Sequence, residues 1–254
     1  MSTDISAILL AAGQGTRIED TTAEPKVLLD LLGKNLLARH FEAWAELGLQ
    51  HVVLVVGYEQ QLIREAVAAL DTPLKITWVD NHEFAIKGNT HSMWLGLREA
   101  PGAVLVFDAD LVYDPDILRR FLVAPEPNGI LVGSASMDDL ECTKALVDES
   151  GCVRMTIDKR AITEAELVRY RFMGEAIGVL KFDAPMRALL MAETEAFLAE
   201  PANALLNWEH LLNQFLARHD VACHFDPSDQ WMEIDTPEDY AAALEKFAPC
   251  AKAT

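Results

Sequence analysis

The chain has 254 residues, about half of them hydrophobic, and a formal net charge of −19 at pH 7. That allows one sizeable buried core and argues against a nucleic-acid backbone or an anionic membrane surface as partner. No apolar run approaches the roughly 20 residues of a membrane span, and the opening Met1-Ser2-Thr3-Asp4 lacks the basic start of a signal peptide.

Strand-like and helix-like patterns alternate from the start. Residues 5–10 read as a buried strand, 36–47 as a helix stopped by Gly48, 51–56 as a strand buried on both faces, and 59–70 as a second helix. Residues 74–79 are a strand, 93–98 belong to a helix, and 104–107 form a strand that runs into Asp108-Ala109-Asp110. This rhythm predicts right-handed crossovers and a largely parallel sheet. The second half is less regular. Residues 145–148 and 153–157 flank Gly151 as a hairpin, 176–182 are a strand, and 184–198 and 205–217 are helical. A last strand runs toward residues 231–235, and Thr236-Pro237 opens a closing helix with a capping residue and a proline at its first position. One domain is expected over residues 1–247, in two halves that meet near residue 125, with a frayed tail at 248–254.

Four cysteines, Cys142, Cys152, Cys223 and Cys250, lack Cys-x-x-Cys spacing. They read as reduced thiols of a cytoplasmic protein, not as a disulfide frame or a zinc site.

The first strand breaks into Leu10-Ala11-Ala12-Gly13-Gln14-Gly15-Thr16-Arg17, followed shortly by Pro25-Lys26. Two glycines bring the backbone close to a ligand, free N–H groups point outward, and two cations stand beside them, an arrangement suited to phosphate. Gly13-Gln14-Gly15 alone is a weak signal: Ile18 stands where a dinucleotide fingerprint needs its third glycine, and no Gly-Lys-Ser/Thr follows. Asp108 and Asp110 sit where open α/β sheets bind ligands, and they are hard oxygen donors suited to Mg²⁺. Glu233-Ile234-Asp235 is a second acidic strand end, so one carboxylate from each can share a metal. Gly88-Asn89-Thr90-His91-Ser92 precedes an apolar helical stretch; Asn89 and Ser92 either cap that helix or read a nucleobase edge, and His91 is read as structural or solvent-facing. No nucleophile–base pair is recognisable.

Taken together, these strings resemble the nucleotidyltransferases that activate phosphorylated small molecules, over residues 5 to about 247. The resemblance implies a three-layer α/β/α Rossmann-like fold with a mostly parallel mixed sheet, a nucleotide-binding half to about residue 125 and an acceptor-binding half over 126–247. The segment 81–97 is similar to the CTP-dependent choline-phosphate and 2-aminoethylphosphonate cytidylyltransferases, with the inositol-1-phosphate enzymes behind. Gly174-Glu175-Ala176-Ile177-Gly178 looks like the phosphonate-type enzymes. Cys142 stands where the choline-phosphate enzymes offer an aromatic residue to a quaternary ammonium.

Further roles are implied by the same resemblance. Arg17 holds the β- and γ-phosphates, and Lys26 bridges the α-phosphate and the incoming phospho-group. Asp110 and Asp235 hold Mg²⁺, with Asp108 in the nucleotide shell. The loop from Ala11 to Gly15 supplies N–H donors, with Leu10 and Thr16 beside it against the nucleotide, and Asn89 and Ser92 lie near cytosine. Lys144 and Lys159 are candidates for the acceptor's phosphorus group. Glu175 is the first choice as counter-charge for a cationic amine, and Trp231 is favoured over Trp94 and Trp208 as a wall of that pocket. The expected ligands are CTP, Mg²⁺ and a small phosphate or phosphonate acceptor, in a chain of open oligomeric state with a homodimer as one option. A sugar- or polyol-phosphate nucleotidyltransferase and a non-catalytic nucleotide-binding module are the alternatives.

Overall fold

A computed structural model describes residues 5–15 and 24–248. The first strand, β1 (Ile5–Ala11), is followed by α1 (Leu36–Glu46), β2 (His51–Val56), α2 (Gln60–Ala68), β3 (Lys75–Asp80), α3 (Asn89–Glu99) and β4 (Ala103–Asp108). Then come β5 (Leu111–Tyr113), α4 (Pro115–Val123), β6 (Gly129–Gly133), β7 (Lys144–Val147), β8 (Val153–Ile157), α5 (Glu164–Arg169) and β9 (Arg171–Phe182). The chain closes with α6 (Ala184–Leu198), α7 (Trp208–Leu216), β10 (Ala222–Asp226), β11 (Trp231–Glu233) and α8 (Pro237–Lys246).

Among the described residues the main sheet has nine strands, in the order β10-β6-β9-β4-β1-β2-β3, with the β7–β8 hairpin joined to β9. The β4-β1-β2-β3 block is parallel, as the alternating rhythm of the first half predicts. The long strand β9 enters between β4 and β6 and runs antiparallel to both.

Helices cover both faces because each strand sends alternate side chains to opposite sides. Ile8, Val53, Val55, Val104 and Val106 pack with Met93 and Leu97 of α3, Leu190 of α6 and Phe215 of α7. Their neighbours Ala7, Leu9, Val52, Leu54 and Leu105 pack with Phe41 and Trp44 of α1, Ile63 of α2 and Phe121 of α4. The three-layer α/β/α architecture follows from that division. Trp44 is completely buried, and its truncation to alanine would cost about 3–5 kcal/mol.

Three features beyond β4 differ from what the sequence predicts. Helices α4 and α5 and the strands β5, β6 and β10 are additional elements. The strand at 231–235 does not join the main sheet; β11 pairs antiparallel with β5 in a separate two-stranded ribbon. The strand expected over 176–182 begins at Arg171. The start of α8 agrees with expectation: Pro237 stands at its first turn, and Thr236 and Asp239 form a reciprocal capping box. A third, small core of Leu29, Leu31, Leu36, Val112, Ile234 and Ala243 ties this ribbon and α8 to the segment after Lys26. That core holds distant pieces of chain together at the site.

Candidate active site

The carboxyl ends of β1 and β4, neighbours in the sheet, open into a cleft of about 200 Å³, where parallel α/β sheets place their ligands. Its wall includes Leu10, Ala11, Ala12, Gly13 and Gly15 from the glycine turn, Lys26, Asn89 and Ser92 at the start of α3, and Asp108 and Asp110. Gln14 lies in the same turn and is exposed. Gly15 has a φ of +64°, and a Cβ there would stand 3.3 Å from the Lys26 Cβ, so the turn rests on the lysine stem. Thr16 and Arg17 lie outside the described residues.

Lys26 opens a short 3-10 turn after Pro25. Its Nζ donates to Asp110 Oδ2 at 2.9 Å and to Asp235 Oδ1 at 2.5 Å. Burial alone would lower the lysine's pKa, but Asp110 and Asp235 outweigh it and hold the ammonium above its ordinary value. The β5–β11 ribbon brings the two carboxylates together. Leu111 pairs with Glu233, and the Ile234 N–H donates to the Asp110 carbonyl at 3.0 Å.

Behind this pair stand Asp108 and Glu233, whose carboxyls are pushed well above the usual range. Burial is the main cause for both. Asp110 and then Glu209 add to it at Asp108, and Asp110 and then Asp108 at Glu233. Asp108 also needs room. Gly178 of β9 sits opposite it with a φ of +68°, and a Cβ there would be 2.8 Å from Asp108 Oδ2.

The carboxylate pair fits a divalent metal. Oxygens from Asp110 and Asp235 converge on one point, now held by the Lys26 ammonium. Mg²⁺ characteristically takes one or two carboxylates and completes its shell with water and substrate phosphates. Among the described residues no three His, Cys, Asp or Glu side chains form an all-protein metal cluster.

At the start of α3 the side chains are partly committed. Asn89 Oδ1 accepts from the Trp208 N–H at 2.9 Å, so it caps α7 from the cleft wall. Ser92 Oγ accepts from Asn81 Nδ2 at 3.0 Å, and Asn81 Oδ1 lies 3.2 Å from His91 Nδ1. His91 is buried and structural.

Beyond Asp235 lies a second cavity of about 510 Å³. Trp231, Cys142, Glu175, Lys159 and Asp139 contribute to its wall. Glu175 is pushed up to about 7, first by burial and then by Asp139. Lys159 follows β8 with a φ of +45°, a conformation costly for a residue other than glycine, and its Nζ is 3.9 Å from Asp235 Oδ2. Trp231 is 6% exposed and packs over Gly133, where a Cβ would meet the indole Nε1 at 2.1 Å. Lys144 departs from its expected place. It is completely buried, and its ammonium donates to the carbonyls of Asp139 and Cys142, bracing the loop below the cavity instead of reaching into it.

Among the charged residues at the site, Asp139 of the second cavity, Lys87 and Glu209 are not marked by the sequence. Lys87 lines the cleft and donates to Glu83 Oε2 at 2.9 Å; it directly precedes Gly88-Asn89, so proximity to a singled-out string was the available signal. Glu209, at the start of α7, is pushed up to about 7 chiefly by burial. An acid in the first turn of a helix is ordinary in sequence, and nothing marked this one as buried.

The MobA-like NTP transferase domain family matches residues 7–139, more than half of the chain. The CMP-5'-(3-aminopropyl)phosphonate synthase of Streptomyces rubellomurinus is 29% identical over 259 residues, covering 96% of this chain and 39% of that protein. The bifunctional protein GlmU of Rhodococcus opacus is 38% identical over 117 residues, covering 44% of this chain and 23% of its own length. The chain therefore spans well under half the length of either relative. Among solved structures, the CTP:phosphocholine cytidylyltransferase of Streptococcus pneumoniae superposes with a TM-score of 0.72 at 21% identity, covering 95% of this chain and 98% of its own. The inositol-1-phosphate CTP transferase of T. maritima gives a TM-score of 0.74 at 18% identity, covering 96% and 95%; both likenesses concern the fold. With its glycine turn, its lysine and its sheet topology, the chain belongs to the MobA-like NTP transferase domain family.

Proposed function

We propose that the chain is a Mg²⁺-dependent cytidylyltransferase that transfers CMP from CTP to a small amine-bearing phosphonate or phosphate, such as 2-aminoethylphosphonate or phosphocholine, and releases pyrophosphate. The observation that carries this reading is the meeting of two cavities at one lysine. Lys26 and Asp110 line the first, Asp235 lines the second, and the Lys26 ammonium bonds to both carboxylates. A donor nucleotide in one cavity and an acceptor in the other would react at that junction.

In the proposed reaction an oxygen of the acceptor's phosphonate or phosphate attacks the α-phosphorus of CTP. The new P–O bond forms as the bond to the β-phosphate oxygen breaks, and pyrophosphate leaves with the electron pair. No side-chain base is required, because the attacking oxygen is already anionic. The obstacle is repulsion between anions, which a positioned cation relieves. Lys26 is that cation, and the backbone N–H groups of residues 11–15 face the phosphates. Asp110 and Asp235 would hold Mg²⁺, which when bound neutralises phosphate charge as a Lewis acid. Asn89 and Ser92 would lie beside cytosine. Glu175, with Asp139 behind it, offers an amine its counter-charge, and Lys159 faces the acceptor's phosphorus group. The Streptomyces relative, a CMP-aminopropylphosphonate synthase, supports an amine-bearing phosphonate over a neutral polyol. The reading includes action in the cytoplasm.

The test is pyrophosphate release from CTP, UTP, GTP and ATP against 2-aminoethylphosphonate, phosphocholine, inositol-1-phosphate and a sugar 1-phosphate, with and without EDTA. CTP with an amine-bearing acceptor should give turnover that EDTA abolishes. Turnover from UTP with a sugar phosphate and none from CTP would sink the proposal. CTP binding without pyrophosphate release from any pair would favour a regulatory module. Lys26→Ala should lower kcat by about 10²–10³, the scale of removing one group that stabilises transition-state charge, with the folded circular-dichroism spectrum retained.

A further inference from the structure

Lys26 and a divalent cation cannot use Asp110 and Asp235 in the same way at once. The ammonium stands 2.9 Å from Asp110 Oδ2 and 2.5 Å from Asp235 Oδ1, and Mg²⁺ shared by those oxygens would lie about 2.0–2.1 Å from each. Ion and nitrogen would then occupy overlapping space and repel each other. The lysine is also well held, its side chain only 12% exposed and its stem against Gly15. Asp235 has a second cation at its other oxygen, the Lys159 Nζ at 3.9 Å.

We propose that Lys26 is an internal counter-ion that suppresses divalent-metal binding at Asp110 and Asp235 until a triphosphate offers its ammonium another partner. The inference rests on the reading that these two carboxylates are the metal ligands. Its physical basis is the cost of removing one partner from a half-buried charge cluster. Without Lys26, Asp110 and Asp235 lose the ammonium that bridges them, while Lys159 stays 3.9 Å from the far oxygen of Asp235, and a free divalent ion neutralises the pair more favourably than when the lysine is present. The glycine turn supplies the second half of the exchange. Ala12, Gly13 and Gly15 of that turn line the same cleft as Lys26, so an anion bound there would draw the ammonium away from the carboxylates while bringing charge that the metal can share. Metal and nucleotide would thus help each other bind, and linkage requires the help to be reciprocal.

The experiment measures Mn²⁺ binding to the nucleotide-free protein by electron paramagnetic resonance, for wild type, Lys26→Met, Lys26→Gln and Lys26→Arg. The Met and Gln variants should bind Mn²⁺ about tenfold or more tightly than wild type, and Lys26→Arg, which keeps the charge, should resemble wild type. Adding Asp235→Asn to Lys26→Met should abolish the gain. Equal affinity in wild type and both neutral variants would overturn the proposal, as would a gain that survives loss of Asp235. If neither neutral variant folds, the wild type still decides. Acetic anhydride labelling of Lys26, read by mass spectrometry, should accelerate at saturating Mn²⁺ if the ion displaces the ammonium, and an unchanged rate refutes it. Pyrophosphate release without the gain in Mn²⁺ affinity sinks this inference alone; the gain without any nucleotidyl transfer leaves it standing and sinks the proposed function.

Discussion

His40 is 1% exposed, stacked on Trp44 with ring centroids 5.3 Å apart, and its Nδ1 lies 3.1 Å from the Tyr113 hydroxyl. Burial pushes its pKa down from 6.5 to about 4, so the folded protein keeps this imidazole neutral where the unfolded chain would protonate it. The unfolded state then binds more protons between pH 6.5 and 4, and stability is lost as pH falls through that window. The loss contributed by this group is about 3 kcal/mol. Denaturant unfolding of wild type against His40→Phe at pH 7.5 and pH 4.5 should show a smaller acid loss in the variant; identical losses would remove His40 from the account. Glu175 makes a functional prediction with the opposite sense of charge. Its carboxyl, raised to about 7, pairs with an ammonium only when ionised. The preference for an amine-bearing acceptor over methylphosphonate should therefore grow as pH rises from 6 to 8. In Glu175→Gln that preference should fall by about tenfold or more and stay flat with pH; a ratio unaffected by the substitution would exclude Glu175 from amine recognition. The residues around Lys26 were legible in sequence because carboxylates at strand ends and a cation after a glycine turn have few structural reasons to be there. Lys144 and Glu209 were not, because whether a lone charged residue points inward depends on packing between segments far apart in the chain.

The element that most constrains the site is β9. Its Gly178 combines a φ of +68° with a 2.8 Å approach of the would-be Cβ to Asp108 Oδ2. Gly178→Ala should cost about 2 kcal/mol, from left-handed strain and overpacking together, and should displace Asp108. The expected outcome is a lower melting temperature and a raised KM for CTP; a variant unchanged in both would show that the strand relaxes freely. Elements with long periodic patterns were readable, among them β1, α1, β2 and the capped start of α8. Strands β5 and β11 have three residues each, too few for periodicity to show a partner. Helix α4 carries the same kind of signal as α8, with Asp114 capping and Pro115 at its start, although it is not among the helices expected above. Its length is not the reason, because α2 also has nine residues and was expected; the cap, the proline and the i, i+1, i+4 spacing of the buried Ile117, Leu118 and Phe121 made α4 legible in principle.

At the scale of the whole molecule, a net charge of −19 surrounds a cleft lined by Lys26 and Lys87, which the proposed function fills with a polyanion. Long-range repulsion and local attraction by Lys26 and Lys87 act with opposite signs and over different distances. Raising ionic strength from about 0.02 to about 0.2 M shortens the screening length from roughly 20 to roughly 7 Å, which removes the distant repulsion first. The association rate of CTP, measured by stopped flow at saturating Mg²⁺, should therefore rise over this range. A steep fall would mean that the local lysines control capture. The layered α/β class was legible in the alternation of strand and helix through residue 108. The antiparallel insertion of β9 was not, since no local pattern says which strands a segment will lie between.

That insertion also bears on how the chain is made. Strand β4 ends at Asp108, and its partner β9 ends at Phe182. At a synthesis rate of about 5–20 residues per second, the two are separated by roughly 4–15 s. If β4 pairs with β1 during that interval, the side of residues 104–107 that β9 covers in the folded protein would be an unpaired edge, the kind that other chains can extend. The strand that gives Asp108 its room is also the one that closes this edge. A nascent chain that pairs β4 with β1 early should therefore be most prone to association until β9 has emerged, and ribosome-bound chains truncated after residue 108 should aggregate more readily than chains truncated after residue 182.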